Sequence, residues 1–90
     1  MNKVKIIYCV NCGWLPRATW MAQELLNTFS QVVNELTLVP SSGGIFEIYA
    51  NNKLVWSRKN MEGSPEIKKL KQLLRDEIAP EMDLGHTDSL

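Results

Sequence analysis

Two cysteines separated by two residues are the part of this sequence best suited to chemistry. They lie in the segment Cys9-Val10-Asn11-Cys12 and are the only cysteines of the chain. A thiolate attacks a disulfide, and a second thiol nearby resolves the mixed disulfide that results. A structural crosslink is a weaker interpretation, because closing so small a loop removes little entropy from the unfolded chain. We therefore predict that Cys9 and Cys12 form a catalytic redox pair.

A zinc site is the third interpretation of the two cysteines. Structural zinc has four ligands, usually cysteine and histidine, and the single histidine, His86, falls in a predicted tail. Apart from carboxylates, the sequence offers no other ligand of the usual kind. We expect neither a bound metal nor a bound cofactor.

The residues on either side of the cysteines predict a strand that leads into a helix. Residues 4–8 are rich in β-branched side chains and place Val4, Ile6 and Tyr8 on one side of the chain and Ile7 on the other. From Leu15 onward apolar residues recur at spacings of three and four, and proline fits the first turn. The helix would lower the thiol pKa values through its positive end, with Arg17 as an added charge or merely a solvated side chain. Its predicted apolar face is formed by Leu15, Ala18, Ala22, Leu25, Leu26 and Phe29.

Three further strands are predicted in the middle of the chain. The first covers residues 32–39 and is closed by the turn residues 40–44. Strands over 45–50 and 53–57 are joined by Asn51-Asn52, a pair that accepts the positive φ angles of a two-residue hairpin turn.

A second helix completes the predicted domain. Ser64 is its expected N-cap, Pro65 its first residue, and Pro80 stops it. Its apolar residues recur at helical spacing: Ile67, Leu70, Leu74 and Ile78. We expect one domain over residues 1–80 and a flexible tail over residues 81–90.

The element order β-α-β-β-β-α indicates an α/β fold with a four-stranded mixed sheet. A ferredoxin-like fold would need a helix before the last strand, and here two residues join the last two strands. A thioredoxin-like core remains, without the helix that links the two halves in thioredoxin. In that core the third strand lies antiparallel to the first, so the loop 40–44 must cross the end of the first strand and pass Gly43-Gly44 by the cysteines.

Composition and charge exclude several classes of function. Ten basic residues balance ten acidic ones, so no positive field favours nucleic acid or anionic lipid. The apolar run near Met1 is too short for a signal peptide or a membrane span. We therefore expect a cytoplasmic protein, in a compartment where structural disulfides are rare. Short exposed sheet edges are compatible with a monomer or a weak homodimer.

Several single residues allow two interpretations. Glu47 among apolar neighbours suits a proton relay to the dithiol, although a strand glutamate more often faces solvent or pairs with lysine. Trp20 projects from the polar side of the first helix, as a partner contact or packed under a loop. We expect Trp14 to shape a substrate surface, Trp56 to pack on a sheet face and Met21 to fill the core.

Three segments together resemble the selenoprotein W, or Rdx, family. They are Tyr8–Gly13 with the cysteine pair, Gly43–Ile48 with its Gly-x-Phe-Glu pattern, and Leu54–Arg58. The similarity extends from about Lys3 to Ile78 and is that of a bacterial member with cysteine in place of selenocysteine.

The resemblance implies a thioredoxin-like fold, a redox role and links to glutathione or protein thiols. Family members with selenocysteine place it at the position of Cys12, whereas general thioredoxin logic favours an exposed, attacking Cys9. Both orders of attack stay open. Thioredoxins also place a cis-proline before the third core strand, where this chain has Gly43-Gly44, so we do not expect a broad protein-disulfide reductase.

Two functional hypotheses follow. The first is a cytosolic thiol/disulfide oxidoreductase that acts on protein or small-molecule thiols and disulfides, with glutathione or a thioredoxin-type reductant as co-substrate. The second is a non-enzymatic interaction module, whose surface around Trp14 and Trp20 binds a protein and whose cysteines switch that binding.

Overall fold

The order of helices and strands agrees with the predicted order. A computed structural model of the protein describes residues 1–59 and 66–85. Within them the elements are β1 (Lys3–Cys9), α1 (Leu15–Thr28), β2 (Glu35–Ser41), β3 (Phe46–Ala50), β4 (Lys53–Ser57) and α2 (Ile67–Ile78).

The four strands form one mixed sheet in the order β2-β1-β3-β4. The central strand β1 is parallel to β2 and antiparallel to β3, and β3 is antiparallel to β4. Only the loop 42–45 separates β2 from β3, so no helix links the two halves. The predicted thioredoxin-like α/β fold and the crossing of the loop over the end of β1 are confirmed.

Both helices pack on the same face of the sheet. Alternate residues of β1 and β3 are buried there, and they form one core with the apolar sides of α1 and α2. On the opposite face of β1, Lys3 and Lys5 are exposed. A period of two in the strands and of three to four in the helices therefore produces a two-layer protein with one uncovered sheet face.

The buried stripe of α1 is narrower than predicted. Leu15 is 49% and Leu26 is 43% exposed, so their assignment to the core face is wrong. At about 100° per residue both project from the edge of the stripe. The stripe consists of Ala18, Met21, Ala22, Leu25 and Phe29, which confirms Met21 as a core residue.

The strand β2 is shifted toward the C-terminus from its predicted range of 32–39. The N–H groups of Val32 and Val33 both donate to the Phe29 carbonyl, at 2.9 and 2.8 Å, and end α1 in a turn. At its other end β2 continues through Pro40, which pairs with Tyr8 of β1. Proline fits because β2 is an edge strand, where one side of the backbone needs no hydrogen-bond donor.

The predicted hairpin turn and the end of the second helix are confirmed. Asn51 and Asn52 have φ angles of 52° and 70°, as a two-residue turn of this kind requires. The helix α2 begins at Ile67 with Glu66 as N-cap and ends at Ile78, before Pro80. The predicted N-cap and first residue, Ser64 and Pro65, lie outside the described residues.

The start of the predicted tail contacts the core. Met82 and Leu84 are partly buried against it, and the Arg75 guanidinium donates a hydrogen bond to the Met82 carbonyl at 2.8 Å. Residues 86–90 lie outside the described part of the chain, and the domain boundary at residue 80 stays a prediction. No helix in the described ranges is long and apolar enough to span a membrane.

Adjacent leucines of α1 allow a matched test of this packing. Leu25 is fully buried and Leu26 is exposed, so Leu25→Ala should lower the free energy of unfolding by about 2–5 kcal/mol. Leu26→Ala should change it by less than about 1 kcal/mol. Chemical denaturation of the two variants measures both values, and equal losses would contradict the orientation of α1.

Candidate functional site

Cys9 is the last residue of β1 and is fixed in the middle of the sheet. It pairs with Ser41 of β2, and the preceding Tyr8 pairs with Phe46 of β3. The sequence placed Cys9 just past the strand; the structure extends the strand through it, because β2 also continues to Ser41. Cys9 is only 2% exposed, so solvent and large substrates have little access to it.

Cys12 lies on an exposed turn between β1 and α1. The Gly13 N–H donates to the Val10 carbonyl at 3.0 Å, and the Val10 N–H donates to the Ser41 carbonyl at 3.0 Å. Gly13 has a φ of +72°, a conformation that suits glycine. The turn therefore exposes Cys12, while its first residue, Val10, is hydrogen-bonded to Ser41 of β2.

The two sulfurs are joined in a disulfide. The Cα atoms of Cys9 and Cys12 are 5.4 Å apart, within the usual range of about 4.4–6.8 Å for bonded cysteines. The pair is asymmetric, with Cys9 inside and Cys12 outside. The expectation from general thioredoxin logic that Cys9 is the exposed cysteine is therefore wrong.

The start of α1 lies next to the motif but does not include it. Trp14 is the N-cap of α1, so Cys12 lies two residues before the N-cap and three residues before the first helical residue, Leu15. The first turn contains Pro16, as predicted, and no acidic residue. Arg17 is its only charged residue. The positive end of the helix and the Arg17 side chain therefore lie on this side of Cys12, and the first turn adds no negative charge.

A series of edge-to-face aromatic contacts connects the motif to the core. The ring of Trp14 meets Phe46 edge-on with centroids 5.7 Å apart, and Phe46 meets Trp56 in the same way at 6.1 Å. Phe46 and Trp56 are each 3% exposed, which confirms that Trp56 is packed. Edge-to-face contacts between rings add to the stability that burial gives. Trp14 is thereby held in a fixed position two residues after Cys12.

Arg58 is a basic residue at the site that sequence reasoning did not single out. Its guanidinium carbon is 5.1 Å from the centroid of the Trp14 ring, a cation–π contact. Its backbone N–H donates to the Phe46 carbonyl at 2.9 Å, just beyond the end of β4. The predicted hairpin brings the end of β4 to the motif end of the sheet, but a register shift between Ile48 and Tyr49 decides which residue arrives there.

Glu47 pairs with a tyrosine, not with a lysine. The Tyr49 hydroxyl donates a hydrogen bond to the Glu47 carboxylate at 3.0 Å. That hydrogen bond, together with burial and the negative charge of Glu47, raises the pKa of Tyr49. Tyr49 pairs with Lys5 and Glu47 with Ile7, so the partner of Glu47 lies on the side away from the cysteines. The geometry gives no support to a proton relay through Glu47.

A shallow groove beside the motif contains the exposed tryptophan. Trp20 is 47% exposed, as its position on the polar side of α1 predicted. It lines this groove together with Gly13, Trp14, Pro16 and Arg17. The structure thus brings the two predicted contact residues, Trp14 and Trp20, onto one surface next to Cys12.

A metal site is not formed by residues 1–59 and 66–85. In these ranges no three histidine, cysteine or acidic side chains are placed to hold an ion. His86 lies outside them, so its predicted exposure stays untested.

Comparisons with known proteins agree with this geometry. The sequence profile of the Rdx family matches residues 3–76. The solved structure of a protein from Bordetella parapertussis is 48% identical, has a TM-score of 0.83, and matches over 86% of this chain and 98% of that one. A selenoprotein W-related protein from Vibrio cholerae is 45% identical, with a TM-score of 0.81 over 83% of this chain and 94% of that one. No curated protein matches the chain.

The contact between Glu47 and Tyr49 predicts a change in tyrosine ionisation. In Glu47→Gln the pKa of Tyr49 should fall, because the amide is uncharged and a weaker acceptor. The pH titration of the tyrosine ring signals by NMR measures this, with buried Tyr8 as the internal control. An unchanged Tyr49 pKa would contradict the contact.

The same pair affects stability at high pH. Above the usual tyrosine pKa of about 10 the unfolded chain loses the phenol proton before the folded protein does. Wild-type stability should therefore decrease as the pH rises through this window and up to the folded pKa. Glu47→Gln should weaken the decrease, which denaturation at a series of pH values measures.

Proposed function

This chain belongs to the Rdx family, and from that premise we propose that it is a cytosolic thiol/disulfide oxidoreductase that cycles Cys9 and Cys12 between dithiol and disulfide. The observation that supports this most strongly is the disulfide between them at the end of β1. Its substrates are disulfides of proteins or small molecules, and no resident metal or cofactor takes part.

The difference in exposure between the two cysteines supports an order of reaction for the proposed cycle. Cys12 is exposed and Cys9 is 2% exposed, so the Cys12 thiolate attacks a substrate disulfide. A bond forms between Cys12 Sγ and one substrate sulfur, and the other substrate sulfur leaves as a thiolate that takes a proton from water. Arg17 and the start of α1 favour the Cys12 thiolate over the neutral thiol.

Cys9 then completes the reaction as the resolving residue. Its sulfur attacks Cys12 Sγ and displaces the second substrate thiolate, which takes up the proton that the Cys9 thiol loses. Two electrons have then passed from the protein to the substrate. A thiol reductant, glutathione or a thioredoxin-type protein, reduces the Cys9–Cys12 disulfide and closes the cycle.

Single-serine variants test this order. Cys9→Ser should accumulate a mixed disulfide on Cys12, because the attack proceeds and resolution fails. Cys12→Ser should form none, and its turnover should fall at least about a hundredfold, since the attacking sulfur is missing. Mass spectrometry of the intact protein after exposure to a disulfide, with a turnover assay, measures both.

Two results would count against the proposal. If Cys12→Ser trapped substrate and Cys9→Ser did not, the order of attack would be reversed. If both variants kept wild-type turnover, the cysteine pair would have no part in the activity.

A redox-switched interaction module is the second candidate, favoured by the apolar surface around Cys12. Val10, Leu15 and Trp20 are all large, apolar and nearly half exposed. For this role the wild type would turn over no disulfide, and the protein trapped by Cys9→Ser would bind the oxidised and reduced forms with different affinity. Trp20→Ser should then weaken binding about tenfold or more, as expected for an interface tryptophan, and Leu26→Ser near the C-terminal end of α1, away from Cys12, should not.

A further inference from the structure

We propose that Arg58, supported by Trp14, forms an anion-binding site beside Cys12 that selects thiols and disulfides carrying a carboxylate. This inference rests on the proposed function and adds a substrate class to it. Arg58 is the binding group, and Trp14 positions it.

The guanidinium of Arg58 is held in place from two directions. Its side chain lies over the Trp14 ring at 5.1 Å, and that ring is fixed by Phe46 in the core. Its backbone is fixed by the 2.9 Å hydrogen bond to the Phe46 carbonyl. Arg58 is nevertheless exposed. A guanidinium that contacts an aromatic ring and is exposed to solvent can still donate N–H groups to the two oxygens of a carboxylate.

The charge of Arg58 is not neutralised within the described part of the chain. Ion pairs there join Lys53 to Glu77, Lys71 to Glu24 and Arg75 to Asp76, all away from the motif. The cavity that contains Arg58 is also lined by Lys59 and by Glu47. The Glu47 carboxylate accepts a hydrogen bond from the Tyr49 hydroxyl and is in none of these ion pairs, so it does not pair with Arg58.

The glycine loop leaves the guanidinium open to a ligand. Gly43 and Gly44 line the same cavity, and both have positive φ angles, of 78° and 74°. A Cβ at Gly43 would meet nothing within 4 Å, and a Cβ at Gly44 would meet only Arg58 Nη1, at 4.0 Å. A side chain at residue 44 would therefore extend against the guanidinium, whereas glycine keeps that approach free.

The site is connected to the cysteine motif through Trp14. Trp14 follows Cys12 by two residues, so their Cα atoms are at most about 7.6 Å apart, and its ring contacts the Arg58 guanidinium. A substrate long enough to reach across the Trp14 side chain would place its sulfur at Cys12 while its carboxylate binds Arg58. The anchoring is uniform in the ground state and the transition state, so it should act on KM and leave kcat unchanged.

Substrate comparison is the first test. Dithiodipropionate has two carboxylates and bis(hydroxyethyl) disulfide has none. For Arg58→Gln, kcat/KM toward the charged disulfide should fall about two- to fivefold through KM, as for a solvent-exposed charge pair of good geometry, while the value for the neutral disulfide should not change. Arg58→Lys should lose part of the preference, and Lys5→Gln, which removes an exposed cation at the far end of β1, should lose none.

The outcomes separate this inference from the proposed function. Turnover of both disulfides with no effect of Arg58→Gln, or with an equal loss for both, would overturn the anion site and leave the oxidoreductase intact. Turnover of neither by the wild type would overturn the oxidoreductase.

A binding measurement tests the anion site without turnover. Titration of the oxidised protein with methylthiopropionate, which carries a carboxylate but no reactive sulfur, should shift the NMR signals of the Arg58 Nε–H and the Trp14 indole N–H. The shifts should weaken with added salt and vanish in Arg58→Gln. If the wild type showed no shifts even at low salt, the proposed site would be overturned.

Discussion

The pairing of β1 with β2 up to Cys9, and with β3 up to Tyr8, is the constraint on which the rest of the site depends. Cys9 is the end of a strand that lies between β2 and β3, so its sulfur stays where the sheet places it. Cys12 is on a turn of four residues that closes on itself. Of the two cysteines, only Cys12 is exposed, so a substrate can reach it without a change in the core. The proposed order of attack therefore rests on the sheet, since a fixed, buried sulfur suits resolution and an exposed one suits attack.

Local sequence patterns predicted most of the fold because each element has a short-range cause. The two asparagines at positions 51 and 52 accept left-handed backbone, so the hairpin and the register next to its turn follow from them. With that hairpin fixed, the connection lengths leave one topology. The errors occurred where tertiary contacts decide. Val32 and Val33 look like strand residues, yet their N–H groups end α1, and only the edge position of β2 allows Pro40 to continue the strand.

The site was harder to predict than the fold. The spacing of the cysteines identified the pair, but their exposure depends on where β2 ends, and that end was misplaced at Val39. Arg58 follows Cys12 by 46 residues in sequence and lies near the motif only because β4 returns antiparallel to β3. The register shift between Ile48 and Tyr49 alters which residue of β4 arrives at the motif end. Sequence periodicity does not predict such a shift, so the contact of Arg58 with Trp14 could not be assigned from it.

The missing linking helix affects how this protein can bind its substrates. With only the loop 42–45 between β2 and β3, the glycines at positions 43 and 44 must turn sharply over the end of β1, in conformations unlike the extended backbone to which a substrate chain adds as a strand. For the proposed function, substrate recognition falls to side chains that surround the loop, where Trp14 and Arg58 are anchored through Phe46. Side-chain recognition of this kind distinguishes substrates by charge and shape, whereas backbone pairing accepts any extended peptide. We therefore expect the proposed oxidoreductase to have a narrow substrate range, because so short a loop joins the two halves.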